Sequence, residues 1–530
     1  MAKKIFLIGI GGTGMRCLES FIHTCAMGMY DETEVEMLAL DTDSGNGNFK
    51  RLRNLKNCYC SINGGNYKRN TLFSAKINYY EFSPGYTDND SFYSLSNYQT
   101  AAAHREDSPV ADLADLFLDR NVMNMNLKHG YRAQTQMGSM LMYYAILKAA
   151  YKASPAGGNS TDKSAFALKS FINNLNAFPK APVFVFGSVF GGTGASSIPV
   201  IPLAFDRASE IMGNKSTNIV GDHPFGTIVL TNYFRFKVDK MTETEVVAKS
   251  DNFAINSQAA LMFYDGDETV KKTYKRLYLL GRQNSENRDV TEKDEKGTKK
   301  TSAGVTGGEK QENPADYIEL LSAFAAYHFF NEAEKGDKAF SEDSDNRFFC
   351  ISHNYGNSKL DFTLFGQDHT DKLKKNFGVL LASALLDFNN EYFHNIANTP
   401  NMFETVDVDK DEFKALRQYF EMFLYSTSNG LLVSGWLPQM YKGRGGEGIL
   451  FSSLPFNCET PKELGKIKFN RDLYSGDNPP QFKVGLFEDC FSVVKSCFMK
   501  TSPNLKTTMD DLIARTYATL CKLYFNENIE

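Results

Sequence analysis

Apolar positions along this chain fall into two patterns, and the two alternate. Short uninterrupted apolar runs occur at residues 4–10 (KIFLIGI), 35–40 (VEMLAL), 183–186 (VFVF), 226–230 (GTIVL) and 276–280 (RLYLL). Continuous rather than alternating apolarity, over strand-sized lengths, is the mark of strands buried on both faces. Between them apolar residues recur at helical spacing, as with Cys17, Leu18, Phe21, Ile22 and Cys25 inside 15–27. Further helices are expected over 139–151, 165–177, 199–211 and 251–261, and over 108–118 from Val110, Leu113, Leu116 and Phe117. Strand and helix in alternation predict an α/β fold with a doubly wound parallel sheet. Apart from 108–118, the stretch 44–126 is polar, rich in Tyr and Asn, and gives no readable period.

Downstream the pattern changes. Residues 284–311 are dominated by Lys, Glu, Gly, Ser and Thr, cannot bury a core, and read as a flexible insertion. Asn313, Pro314 and Ala315 then open a long helix over 315–333, with Pro314 suited to a first turn and Ile318, Leu321, Ala325 and Phe329 forming its apolar stripe. A strand-like FFCIS follows, then amphipathic helices over 371–395, 412–425 and 509–525. The expected division is an α/β domain over 1–312, a central helix over 313–340 and a smaller α+β C-terminal domain over 341–530.

Composition narrows the class without naming a function. At 530 residues the chain has room for two to four domains, and 42% hydrophobic with 23% charged residues is ordinary for a globular protein. A net charge of −5 offers no basic field, so nucleic acid is not an expected direct partner. The nine cysteines have neither zinc spacing nor a disulfide framework, and read as reduced thiols. No apolar run approaches the ~18 residues of a membrane span, and residues 1–4 lead straight into a strand, so a cytoplasmic location is expected.

Candidate chemistry lies where strands end in glycine. Residues 4–10 run into Gly11, Gly12, Thr13 and Gly14, and residues 183–186 into Gly187, Ser188, Phe190, Gly191, Gly192, Thr193 and Gly194, followed by Ala195, Ser196 and Ser197. Glycine lets backbone reach positive φ and approach a ligand closely. Unpaired N–H groups at the following helix start, with nearby hydroxyls, suit a phosphate. The alternative is a tight strand-to-helix turn whose small residues serve packing. The first turn with Asp41 at the end of the second strand also fits a dinucleotide fold, where an acid at that place binds ribose. Residues 128–138 (KHGYRAQTQMG) form a glycine-bounded loop with Arg132, Gln134 and Gln136 as polar reach; a solvated loop is the alternative.

Taken in order, these motifs resemble the tubulin/FtsZ superfamily, and its divergent bacterial tubulin-like proteins above all. KIFLIGIGGTGM is similar to the family's first glycine loop, ALDTDS to the NTD segment ending its second strand, and GYRAQTQMG to the loop that meets the γ-phosphate. GSVFGGTGASSIPV aligns without gaps on the tubulin signature, GTIVLTNYF matches the next strand and its sugar-facing loop, and NPADYIELLSAF the start of the central helix. The match covers roughly 1–366 in scattered motifs. It implies GTP or GDP as ligand, Mg²⁺ beside the phosphates, no dedicated metal-ligand cluster, and head-to-tail filaments. Residue by residue it puts Gly11, Gly12, Thr13 and Gly14 on the α- and β-phosphates, and Arg16 near base or phosphate. Asp41, Thr42 and Asp43 fall near the triphosphate and its Mg²⁺ shell. Ala133, Gln134 and Gly138, with Arg132 as an extra cation, close on the γ-phosphate. Ser188, Gly191, Gly192, Thr193 and Gly194 wrap the phosphates. Tyr317 stacks on the base, unless it is a core aromatic, and Asn313 or Asp316 reads the purine edge.

The chain also departs from the family. Phe190 replaces the first signature glycine, Ala195 and Ser196 replace its last Thr/Ser and Gly, and Lys237 stands where FtsZ has an acid. The acidic loop that completes hydrolysis in the neighbouring subunit has one counterpart, Asp361 in SKLDFTLF, with no second acid in register. A carboxylate there would orient the attacking water, so the resemblance implies a GTPase of weak or absent turnover. Three functions stay open: a nucleotide-dependent polymer, a non-hydrolysing nucleotide-binding switch or scaffold with protein partners on its insertions, and a Rossmann-type dinucleotide enzyme.

Overall fold

The computed structural model describes residues 3–95, 116, 119–128, 130–214, 218–235, 250–281, 288–289, 313–336, 340, 348–352, 367–388, 411–423, 425–428, 431–441 and 509–525. Strands β1 (Lys3–Ile10), β2 (Thr33–Leu40), β3 (Lys76–Phe82), β4 (Val183–Phe186), β5 (Phe225–Leu230), β6 (Tyr274–Gly281) and β7 (Phe348–Ser352) form one seven-stranded sheet in the order β3-β2-β1-β4-β5-β6-β7. Every pairing in it is parallel. The fold is α/β, as the alternation predicts.

Pleating sends successive residues to opposite faces, and both faces are covered. Ile5 and Leu7 of β1 join one core cluster, while Phe6, Ile8 and Ile10 join the other. The first cluster is closed by α1 (Gly11–Ala26), α2 (Gly47–Asn63) and α8 (Tyr317–Glu334). The second is closed by α3 (Thr135–Ala153), α4 (Lys163–Ala177) and α6 (Ile201–Ile211), the last preceded by the single-turn α5 (Gly192–Ser197) and followed, beyond β5, by α7 (Phe253–Gly266). The helices α9 (Gln367–Phe388), α10 (Asp411–Phe423) and α11 (Met509–Phe525) add Leu380, Tyr419 and Leu520 to the first cluster, packing against one another and onto α2. A hairpin of 425–428 with 431–434 accompanies them.

Four boundaries differ from expectation for local reasons. Helix α1 begins at Gly11, not near residue 15, so the glycines are its first turn. Residues 135–138 are already helical in α3 rather than loop. Helix α8 starts at Tyr317 because Asp316 caps it: Asp316 Oδ1 accepts from Ile318 N at 3.0 Å and Glu319 Oε2 from Asp316 N at 3.0 Å, a reciprocal capping box. Pro314 therefore lies before the helix and not in its first turn. Residues 198–200 interrupt the helix expected from 199 onward, since Pro199 has no N–H for the ladder.

Two elements escaped the pattern altogether. In α2, Phe49, Leu52, Leu55, Tyr59 and Ile62 repeat at helical spacing and are buried, although the polar residues between them mask the period. Strand β3 (KINYYEF) is an edge strand, only partly buried along most of its length, so continuous apolarity is absent. The helix expected over 108–118 and the insertion over 284–311 fall almost wholly outside the described residues, as does Asp361.

Candidate functional site

The winding of the chain reverses between β1 and β4, which lie side by side with Gly9 opposite Phe186. In open parallel sheets the crevice at such a reversal, beyond the carboxyl ends of the strands, is where ligands bind. Both glycine turns open there. Gly14 has no space for a side chain: a Cβ would lie 2.7 Å from Gly9 C and 2.9 Å from Phe186 O. That close fit seats α1 directly on β1 and β4. Its first turn carries no side-chain cap and no acid of its own, and a helix start leaves its first N–H groups without partners inside the helix.

Four segments distant in sequence meet at this point. A Cβ at Gly11 would lie 3.4 Å from Thr193 Cβ, and one at Gly130 would lie 3.5 Å from both Thr193 Oγ1 and Thr42 Oγ1. One at Gly192 would lie 2.6 Å from Ala133 N and 3.0 Å from Arg132 N. Of the sequence-derived candidates, Gly11, Thr42, Arg132, Ala133, Gly192 and Thr193 thus converge on one small volume. Ser188 joins it through its bridge to Leu230 beneath the second turn. Ser196 Oγ is engaged within the turn, donating to Thr193 O at 3.1 Å, and Ser197 is fully buried.

The turn over this volume is held in an unusual conformation. Gly130 (φ 93°), Arg132 (φ 44°) and Ala133 (φ 65°) are all left-handed, and each non-glycine residue there costs on the order of 1–3 kcal/mol unless its surroundings fix it. Gly192 provides that fixing by letting the turn rest directly on α5. Gly138, inside the first turn of α3, allows a second close contact, where a Cβ would lie 2.6 Å from the Tyr131 ring and 2.8 Å from Ser196 Oγ. Tyr131 is buried, with its hydroxyl 3.4 Å from that of Tyr86.

Asp41 and Asp43 are both buried acids of the site, Asp41 the more deeply. Asp41 Oδ1 accepts from Asp43 N (3.3 Å) and Thr42 Oγ1 (3.4 Å), whereas its buried Oδ2 has no partner. Burial, and to a smaller degree the nearby Asp43 charge, push its carboxyl up to about 7, against hydrogen bonds from the Asp43 N–H, the Thr42 N–H and the Thr42 hydroxyl that favour the ionised form. The ordinary value is 3.8, so between about pH 4 and pH 7 the unliganded fold holds a proton that the unfolded chain has released. Asp41 therefore lends stability below pH 4 that is lost as pH rises through 7. Urea denaturation from pH 4.5 to 8 is expected to show stability falling by up to a few kcal/mol from this group, and Asp41→Asn should remove that share of the slope. Equal slopes in the two proteins would refute the assignment.

The side of the crevice toward α8 is filled by a polar cluster. Arg16 Nε donates to Glu319 Oε1 at 2.5 Å, its Nη2 reaches Thr13 Oγ1 at 3.4 Å and also donates to the Tyr233 hydroxyl, and that hydroxyl donates to Glu319 Oε1 at 2.7 Å. Arg16 is 2% exposed and Glu319 0%. Burial works against the guanidinium charge, but Tyr233 and Glu319 outweigh it and hold Arg16 above its ordinary range. Arg16 is thus bound to α8. Tyr317 is fully buried in the first core cluster, and Asp316 caps α8. Asn313 is pinned through its backbone, its N–H to Asn48 Oδ1 (3.1 Å) and its carbonyl to Arg51 (2.7 Å). Phe190 packs its ring on Phe253 (4.6 Å) and edge-on to Tyr233 (6.0 Å).

Glu319 and Tyr233 were not among the sequence candidates. Asp316 followed three residues later by Glu319 is a capping-box signature legible in the chain. Nothing local marks Tyr233, whose role exists only through contacts with α1 and α8. Among the described residues no group of three or more His, Cys, Asp or Glu is placed to hold a metal ion, and no helix is long and apolar enough to cross a membrane. A Mg²⁺ held mainly by phosphate oxygens needs no such group, and Asp41 Oδ2 and Thr42 Oγ1 are oxygens of the hard type it prefers. What fold and site define together is an α/β protein with a parallel sheet and a glycine-lined crevice at its switch point. No protein-family model matches the chain, and no curated protein matches it.

Proposed function

We propose that the protein binds a nucleoside di- or triphosphate in the crevice between β1 and β4, in the manner of the tubulin/FtsZ superfamily that its motifs resemble. The meeting of Gly11, Thr42, Gly130 and Gly192–Thr193 at one point carries this reading. A phosphate chain there is met by backbone N–H groups from two helix starts and by the hydroxyls of Thr193 and Ser188, an arrangement that needs no lysine. A dinucleotide enzyme uses one such turn and gives no reason for a second turn converging on it. With Mg²⁺ bound to the phosphates, their charge is partly neutralised; the chain's own role is to orient them and to close the turn 130–134 over the last phosphate. Guanine is the base that the resemblance implies. Residues 341–530 are read as an α+β region following the central helix, and head-to-tail filaments as the assembly.

Release of bound ligand by denaturation, read by mass, is the direct test. A guanine nucleotide at near-equimolar amount is expected. No nucleoside phosphate in the eluate, together with no heat of binding on adding GTP or GDP with Mg²⁺, would sink the reading. Assembly is tested separately: a GTP-dependent pellet on centrifugation is expected, and a monomer by light scattering at all concentrations would leave the switch or scaffold instead.

A further inference from the structure

We propose that Tyr264 and Tyr274 are positioning residues for the second glycine turn: their buried hydroxyls stand in for two helix donors that Pro199 and Pro202 cannot supply, and so fix the turn where phosphates meet it. The inference rests on the nucleotide reading above and adds to it the groups, distant in sequence, that hold the turn in place.

Helix α5 is a single turn, too short to hold its own orientation. In a continuous helix each carbonyl receives the N–H four residues on, so residue 199 would serve Ala195 O and residue 202 would serve Ile198 O. Both are prolines, which carry no N–H. The Tyr264 hydroxyl, from α7, donates to Ala195 O at 2.9 Å. The Tyr274 hydroxyl, from the first residue of β6, donates to Ile198 O at 2.6 Å. The neighbouring carbonyls have other donors. Gly194 O receives the Ile198 N–H and Ser197 O the Val200 N–H, each at 3.1 Å. Ser196 O lies 2.8 Å from Ser139 Oγ of α3, a hydroxyl shared with Thr135 O at 3.0 Å. The two carbonyls that a proline leaves without a helix donor are thus the two that a tyrosine from another element meets.

Both tyrosines suit this task. Burial holds each phenol well above its ordinary range, so each remains a donor. Helix α7 also grips the other end of the turn: Asn256 Nδ2 donates to Phe190 O at 3.2 Å, and the Phe253 ring packs on that of Phe190. The turn itself is closely packed, since a Cβ at Gly194 would overlap Ser188 O and one at Gly187 would lie 3.0 Å from Ile198 Cδ1. A shift of Ala195 or Ile198 therefore carries through to Thr193 and Ser188, the hydroxyls that meet phosphate in the proposed binding mode. With either tie removed the turn samples other tilts, and apparent affinity falls with the fraction of time spent in the competent one.

Calorimetry with GTP and Mg²⁺ on the full-length chain, beside urea denaturation, tests this. Tyr264→Phe and Tyr274→Phe keep the ring and remove one donor each; each is expected to weaken GTP binding about five- to tenfold. Tyr278→Phe controls for stability alone, because its hydroxyl is hydrogen-bonded to His328 Nδ1 at 2.8 Å on the opposite face of the sheet. It is expected to lower stability while affinity stays within about twofold of wild type. Binding within about twofold of wild type in both Tyr264→Phe and Tyr274→Phe, or an equal loss in Tyr278→Phe, overturns the inference and leaves the nucleotide reading intact. Should a tyrosine variant fail to fold, Ser139→Ala removes the third tie and is held to the same twofold limit. Failure of the wild-type chain to bind overturns the nucleotide reading itself, and this inference with it.

Discussion

Gly192→Ala is expected to weaken nucleoside triphosphate binding on the order of 100-fold or more while the protein stays folded. The added methyl would lie 2.6 Å from Ala133 N, 2.9 Å from Tyr131 C and 3.0 Å from Arg132 N. All three are backbone atoms, so no side-chain rotation relieves the contact, and Arg132 and Ala133 already occupy left-handed conformations with little freedom to adjust. The turn must lift away from α5, and with it the N–H groups that meet the last phosphate in the proposed binding mode. Losing two hydrogen bonds to a charged group, at about 1.5–3 kcal/mol each, accounts for the expected factor. Fold stability should change by only about 1–3 kcal/mol, the usual cost of a modest steric overlap. Calorimetric titration with GTP and GDP, beside urea denaturation, separates the two effects. Binding within about tenfold of wild type would show that the turn does not touch the ligand. A larger deficit for GTP than for GDP is the further expectation, because in the proposed binding mode the turn closes on the end of the phosphate chain.

The second large effect concerns the ion pair between the first glycine turn and the central helix. Glu319→Ala is expected to lower stability by about 3–5 kcal/mol, because Arg16 would keep a buried charge with no counter-ion. Two neutral groups suffer as well: the Asp316 N–H loses its capping acceptor and the Tyr233 hydroxyl its recipient. A paired replacement, Arg16→Met with Glu319→Leu, should lie closer to wild type than Glu319→Ala alone, since it removes both charges and keeps the volume. Chemical denaturation of the three proteins measures the difference. If the double replacement proves as damaging as the single one, the cluster stabilises through hydrogen bonding to its neighbours more than through charge compensation.

Much of this architecture is legible in the chain. Uninterrupted apolar runs such as KIFLIGI and VFVF can satisfy themselves only between two layers of helices, so they specify a parallel sheet unaided. Edge strand β3 and the polar-looking α2 stay hidden because an element half exposed to water need not be apolar throughout. The glycine turns are visible for a related reason: where backbone must touch backbone, as Gly14 does against Gly9 and Phe186, no other residue fits, and the requirement is written in the residue itself.

What the chain cannot state is which distant groups bind one another. Arg16 reads equally well as a phosphate ligand and as half of an ion pair; its pairing with Glu319, 303 positions away, is settled only when α8 lies across α1. Tyr317 is an aromatic residue at helical spacing in either role, and the packing of α8 against the sheet turns its ring into the core. The sheet, the two glycine turns and their order come from the amino-acid order, because they follow from local backbone needs and from burial on two faces. The convergence of those turns with Thr42 and Gly130, and the closing of the polar side chains beside them on each other, come from the folded arrangement, because hydrogen-bond satisfaction depends on neighbours that only the fold supplies.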